Sequence, residues 1–139
     1  MYLWFCTTII RTDYDKWKNI KRGDMFYADM PQGVGSEQSG YRPVIILQND
    51  VGNKHSTTVI VAPLTSVSHT KAKLPTHYTM KAENGLEKPS VVLLEQIHTI
   101  DKQRLQRYIG RASDKALAGI EYALAISLGF IDPVTKTIE

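Results

Sequence analysis

The spacing of apolar and polar positions changes character several times along the chain. From Ile20 it is strand-like: Asp24–Met30 alternates weakly, with Met25, Tyr27 and Met30 as core candidates. Pro31–Tyr41 follows, with Gly33, Gly35 and Gly40 around the polar run Ser36-Glu37-Gln38-Ser39, and reads as a mobile loop of the kind that carries function. Arg42-Pro43 opens the apolar strand Val44–Leu47, where proline fits the first position because it lacks a backbone donor. Asp50–Ser56 reads as a turn, Thr57–Leu64 as a β-branched strand, Thr65–Leu74 as a second polar loop and Pro75–Lys81 as a short strand. Asn84-Gly85 signals a hairpin turn. Val91–Ile100 predicts the longest strand, crossing the core, and Leu105–Arg111 fits a strand or a helical turn.

The pattern then turns helical. Ser113 suits an N-cap and Asp114 the positive end of the helix dipole. Leu117, Ile120, Leu124 and Leu128 recur on one face, Gly129 is a stop, and Pro133 prevents continuation. Gly119 inside this helix costs about 1 kcal/mol relative to alanine, so its missing side chain is expected to admit a close neighbour. Residues 1–19 hold both tryptophans and the lone cysteine; they predict an appended segment, a strand followed by a helical turn around Asp13–Lys18. The expected fold is mainly β: a small, partly open barrel with a C-terminal helix packed on it.

Composition narrows the class. With 139 residues the chain has room for one domain with a real core and is short for two. Hydrophobic residues at 42% and charged ones at 22% are globular proportions. No apolar run approaches the roughly 18 residues of a membrane span, and Tyr2–Ile10 lacks the basic start and cleavage site of a signal peptide. Cys6, being alone, excludes an internal disulfide, and a reducing, cytoplasmic setting is expected. The net charge of +3 names no partner, but its distribution is uneven: no carboxylate lies between Asp50 and Glu83, where Lys54, Lys71, Lys73 and Lys81 all fall. Such a stretch attracts phosphates if it folds onto one face.

Several chemistries lack their residues. The histidines are scattered, with no HExxH or paired-cysteine spacing, so no metal site and no cofactor is expected. Gly33-Val34-Gly35 precedes a strand, the wrong context for a phosphate at a helix N-terminus. No serine sits in a nucleophile elbow. What remains is polar equipment at loop–strand junctions: Arg42 at the end of the glycine-rich loop, and Thr65 between an apolar strand and the acid-free loop. Spacing alone does not separate these from a solvated charge and a turn residue.

An ordered set of motifs does. Lys21-Arg22-Gly23-Asp24, Gly35-Ser36-Glu37-Gln38 and Gly40-Tyr41-Arg42-Pro43-Val44 resemble the start of the MazF/PemK (Kid) toxins. Gln48-Asn49-Asp50, Leu64-Thr65, Lys73-Leu74-Pro75-Thr76-His77, Leu94-Glu95-Gln96-Ile97 and Thr99–Leu105 continue the resemblance in order, over residues 20–130 or so. It is nearest to the low-GC Gram-positive type and leaves residues 1–19 outside a single toxin domain over 20–139. It implies an SH3-like barrel, a homodimer and a MazE-like antitoxin partner. It also implies a metal-independent endoribonuclease that cuts single-stranded mRNA through the 2′-hydroxyl, leaving a 2′,3′-cyclic phosphate or 3′-phosphate and a 5′-hydroxyl. The family's catalytic arginine and threonine match Arg42 and Thr65. Glu37 is a candidate base or RNA contact, with Asp50 and Glu95 similarly open. Ser36, Gln38, Gln48, Asn49, Lys71, Lys73, His77, Glu95 and Gln96 are candidate RNA contacts. The rival on the same fold is CcdB, a toxin that binds DNA gyrase without cutting; its Trp-Gly-Ile tail is missing here, where the chain ends Lys136-Thr137-Ile138-Glu139.

Overall fold

The computed structural model describes residues 11–69 and 73–133, apart from the side chains of residues 11–14 and 69. The strand expected within Tyr2–Ile10 and the side chain of Lys71 lie outside the described residues. In chain order the elements are α1 (Arg11–Lys18), β1 (Asp24–Met30), β2 (Gly40–Ile46), α2 (Asp50–His55), β3 (Thr58–Ser66), β4 (His77–Met80), β5 (Ser90–Leu93), β6 (His98–Asp101), β7 (Leu105–Arg111) and α3 (Asp114–Ser127). The strands form one antiparallel sheet in the order β4-β5-β3-β2-β1-β7, with β6 also on β3. The mainly β architecture with a C-terminal helix is the one expected.

β3 organises the sheet. Its first half, Thr58–Val61, pairs with β6, and its end, Leu64–Ser66, pairs with β5. From Leu64 to Val61 is three steps along β3, whereas from Val92 to His98 on the partner is six. The excess residues leave the ladder as a 3-10 turn, Leu94–Gln96. This corrects the single long strand expected over Val91–Ile100. Thr76 O accepts from the Leu94 amide, and Ser127 Oγ of α3 donates to Leu94 O, so the turn is pinned from two sides.

Alternate residues of β2 enter two apolar clusters. Ile45 and Leu47 meet Leu117, Ile120 and Ala123 of α3, whereas Val44 and Ile46 meet Phe26, Val61 and Ile100. Both faces are covered, which is why Val44–Leu47 is apolar without alternation. Met25 and Met30 are buried as expected, but Tyr27 is only half-buried. On α3 the buried stripe is Ala116, Leu117, Ile120 and Ala123; Leu128 caps the helix and is exposed.

Two turn expectations change form. Asp50–Ser56 is largely helical because Asn49 caps it: the Asn49 side chain accepts from the Gly52 amide at 2.8 Å. Asn84 and Gly85 both have positive φ, as expected, but they sit inside the longer link from Met80 to Ser90. A Cβ at Gly110 of β7 would collide with Asn84 O, so the turn's backbone packs directly on that strand.

Before the barrel, α1 docks rather than trailing. Trp17 lies against the second cluster and its Nε1 donates to Lys102 O at 3.0 Å. Lys16 Nζ stands 3.4 Å from Asp24 Oδ2, whose side chain is 0% exposed, and 5.1 Å from the centre of the Tyr108 ring. The Lys21 amide also donates to Asp24 Oδ2. A buried carboxylate on β1 thus takes its countercharge from the helix preceding the barrel. Removing one partner of a buried pair strands the other. Because Lys16 is partly exposed, Lys16→Met is expected to cost only about 1–3 kcal/mol. Chemical denaturation of Lys16→Met, Asp24→Asn and the double variant checks it: the double variant should recover part of the loss.

Gly119 of α3 faces Tyr78 of β4, and a Cβ there would come within 2.1 Å of the ring's Cε1. Helix propensity favours Gly119→Ala by about 1 kcal/mol, whereas forcing the half-buried ring aside costs about 1–3 kcal/mol. The expected outcome is a lower denaturation midpoint; a raised midpoint would show that the ring moves freely.

Candidate active site

A cleft of about 680 Å³ opens where β2 and β3 part company. Their ladder runs Ile46↔Val61, Ile45↔Ala62, Val44↔Pro63. Beyond it, Tyr41–Pro43 pair with β1, and Leu64–Ser66 with β5. Continuing the ended register by two residues sets Arg42 opposite Thr65. The two residues singled out in the sequence therefore face each other across a fork, and both line the cleft.

Arg42 is half-buried, and its Nε donates to Ser39 O at 2.9 Å. This bond leaves the terminal amino groups of the guanidinium without a protein partner among the described residues. Burial pushes the Arg42 pKa down from the ordinary arginine value, yet a guanidinium starts so high that it stays charged in neutral solution. The Thr65 hydroxyl has no hydrogen-bond partner among the described residues either. The site thus offers a forked cation and a hydroxyl across one opening. Together they suit a phosphate, which takes two parallel bonds from arginine and further donors on its remaining oxygens.

The glycine-rich loop is latched to this cleft. Gln96 Oε1 accepts from the Gln38 amide at 2.8 Å, and Gln96 Nε2 donates to Ser36 O at 3.2 Å. Ser36, Gln38 and Gln96 all line the opening. The Gln96 amide, expected as an RNA contact, is occupied in holding the loop. Glu37 does not line the cleft: its Oε1 turns back to accept from the Val34 amide at 2.8 Å.

On the far wall Glu95 is oriented by two neighbours. Thr76 Oγ1 donates to Oε1 at 2.8 Å, and His77 Nε2 lies 3.0 Å from Oε2. His77 Nδ1 accepts from the Leu74 amide at 3.3 Å, which places the ring proton on Nε2. Both ring nitrogens are engaged, so His77 positions Glu95. Each Glu95 oxygen retains a lone pair for a ligand amine.

Other expected site residues lie elsewhere. Gln48 Nε2 donates to Thr58 O at 3.0 Å and the exposed Asn49 caps α2, so both side chains hold local structure and neither lines the cleft. Asp50 Oδ1 accepts from the Arg22 amide at 2.7 Å, and that bond chiefly holds its pKa below the usual carboxylate value. Lys73 is exposed and adjoins Leu74 at the cleft edge, and Lys71 lies outside the described residues. Sequence reasoning passed over Tyr41, which lines the cleft with 61% of its surface exposed; its place beside Arg42 was the available signal. Among the described residues no three histidine, cysteine or acidic side chains gather as a metal-binding group, and no helix is long and apolar enough to cross a membrane.

Residues 21–128 match the PemK-like, MazF-like toxin of type II toxin–antitoxin systems. A curated relative, endoribonuclease EndoA of Bacillus subtilis (strain 168), is 52% identical over 114 residues, covering 81% of this chain and 97% of its own. A mycobacterial endoribonuclease solved in complex with its cognate antitoxin superposes with a TM-score of 0.67 at 27% identity, over 81% of this chain and 98% of that one. MazF from Deinococcus radiodurans shares the fold, with a TM-score of 0.67 at 24% identity over 78% and 96% of the two chains. With a match spanning most of its length, this chain belongs to the MazF/PemK family of type II toxins.

Proposed function

We propose that this endoribonuclease toxin cuts single-stranded RNA at the fork between β2 and β3, with Arg42 and Thr65 as its catalytic pair. The observation that carries the reading is their opposition across one cleft, with the guanidinium's terminal amino groups and the threonine hydroxyl both available there.

In the reaction the ribose 2′-oxygen attacks the adjacent phosphorus. The O2′–P bond forms and the P–O5′ bond breaks. The 2′-hydroxyl loses its proton and the departing 5′-oxygen gains one. The products are a 2′,3′-cyclic phosphate, or the 3′-phosphate after water opens the ring, and a 5′-hydroxyl. Arg42 donates to the non-bridging oxygens, where negative charge grows as phosphorus becomes five-coordinate. Such preorganised charge is often the largest catalytic contribution. The Thr65 hydroxyl hydrogen-bonds a phosphoryl oxygen or the 2′-hydroxyl and helps fix the in-line geometry. Glu95, the carboxylate that lines the cleft among the described residues, accepts from an exocyclic amine of a splayed base. Ser36 and Gln38 read base edges from the latched loop, while Lys71 and Lys73 hold the backbone. The reaction needs no metal in this scheme.

The same reading supplies partners: a second copy forming a homodimer, and a MazE-like antitoxin whose extended acidic tail occupies the RNA groove, in the cytoplasm. Residues 1–19 lie outside the resemblance and hold none of the candidate site residues, so a chain beginning at Ile20 that stays folded is expected to keep cutting. The kinship with a relative named as an endoribonuclease favours nuclease over gyrase binder.

Arg42→Ala is expected to lose on the order of a hundredfold or more in turnover, the scale of one missing transition-state donor. Arg42→Lys should recover little, because a point charge cannot make the forked contact. Thr65→Val keeps the shape and removes the hydroxyl, so a large loss assigns the role to the oxygen. RNA binding should survive both better than cleavage does. Cleavage of a short RNA in EDTA tests the whole scheme: wild-type rates in both variants, or loss of wild-type activity to the chelator, would sink it.

The latch makes a separate prediction. Gln96→Met keeps length and removes both bonds to the loop. Amide exchange at Gln38 is expected to quicken and KM to rise, with turnover less affected. Unchanged exchange at Gln38 would show that the loop holds its position without the latch.

A further inference from the structure

Tyr41 is the largest exposed side chain on the cleft lining, and it is not solitary. Its ring and that of Tyr27 are nearly parallel, 7° apart in plane with centroids 5.2 Å apart. The two residues are diagonal neighbours on paired strands: Tyr27 lies opposite Pro43, and Asp29 lies opposite Tyr41. The stack therefore rests on the β1–β2 ladder and not on the neighbouring loop.

We propose that the Tyr41 ring, braced by Tyr27, is a stacking platform for one unpaired nucleobase flanking the scissile phosphate. The proposal rests on the reading of the cleft as the RNA site and adds to it a residue that fixes where the strand lies. Three observations support it. Tyr41 and Arg42 are consecutive in β2, so their side chains leave the strand on opposite sides while both border the opening. A nucleotide diverges in the same way, its phosphate and its base projecting from opposite ends of the ribose. Charge then decides which part goes where. On the Tyr41 side the exposed Asp29 carboxylate offsets the charge of Arg104, which donates to Asp29 O at 3.0 Å, whereas Arg42 has no ion pair among the described residues and attracts phosphate. A neutral base is the part of the strand suited to the tyrosine side. Finally, the ring is rigid. A side chain already stacked on its neighbour loses little freedom when a third flat group is added, and aromatic pairs favour such layered geometry.

Stacking on an aromatic ring tolerates any base but does not tolerate the absence of one. The experiment therefore uses the full chain and a short RNA that the wild type cuts, made uncleavable by a 2′-deoxy sugar at the reacting nucleotide. Tyr41→Ala is expected to weaken binding by about 5- to 150-fold, and Tyr41→Phe by less than about twofold. On cleavable RNA, Tyr41→Ala should raise KM by a similar factor while turnover changes little. Abasic replacements are then walked along the RNA. At one position beside the cut, removing the base should cost the wild type what Tyr41→Ala costs, and should cost that variant nothing more. Wild-type binding by Tyr41→Ala, or a Phe variant as weak as the Ala variant, would overturn the platform, as would abasic losses that add to Tyr41→Ala at every position. Sedimentation of each variant supplies the other decisive outcome. A dimer loosened by Tyr41→Ala, with RNA affinity per dimer intact, would place the ring in a protein interface instead. If the wild type cut no RNA at all, the parent reading would fall and this one with it; wild-type cutting with an indifferent Tyr41 removes the platform alone.

Discussion

The end of hydrogen-bonded pairing between β2 and β3 is the constraint on which the rest depends. Two strands that stay paired leave no room between them, and their facing side chains pack. Here the ladder stops at Val44↔Pro63, and each strand continues with a different partner. The parting converts what would be a cross-strand pair, Arg42 and Thr65, into the two sides of an opening. The geometry is inherited from backbone pairing on both outer flanks, so the guanidinium and the hydroxyl are positioned by strands held in the sheet. The price of such an opening is an incomplete ladder, and the structure offsets it with side-chain bonds around the rim: Arg42 to Ser39, Gln96 to the loop, and Thr76 and His77 to Glu95.

The same logic explains why the wall opposite Arg42 is a turn. Because β5 and β6 share β3 with three residues in excess, the chain must loop out at Leu94–Gln96, and that bulge carries Glu95 and Gln96 to the cleft. α3 holds the turn through Ser127 and packs beside it through Leu117 and Ile120. The C-terminal helix is therefore both core and support for the site.

Much of this was legible in the residues. The strand Asp24–Met30, the β-branched strand ending near Leu64, and the Ser113-capped helix each carry a local signal that the fold respects. Val91–Ile100 misled because the β-favouring residues on both sides of Glu95-Gln96 say nothing about register, which β3 imposes from outside. Asp50–Ser56 misled because Gly52-Asn53 looks like a turn, whereas the Asn49 cap and the buried Asn53 make a helix of it. At the site, Arg42 and Thr65 emerged from an ordered set of motifs and not from spacing. Their opposition depends on a ladder that no local pattern encodes. Gln48 and Asn49 belong to those motifs as well, yet one bonds a strand carbonyl and the other caps α2, so motif membership alone does not separate a contact from a cap.

The loop that frames the opening and the strands that flank it answer to different rules. A single inserted residue in β2 between Arg42 and Val44 would turn every following side chain to the other face and dismantle both cores. Residues added between Pro31 and Ser39 would disturb no ladder, since that loop is fastened through the Gln96 side chain and its own bonds. Descent with modification therefore has unequal freedom along this chain. The loop that frames the cleft is free to vary in length and composition, while the strand that carries Arg42 is locked by arithmetic along the sheet. Divergence among such proteins should therefore show first in the length of this loop and last in the register of β2.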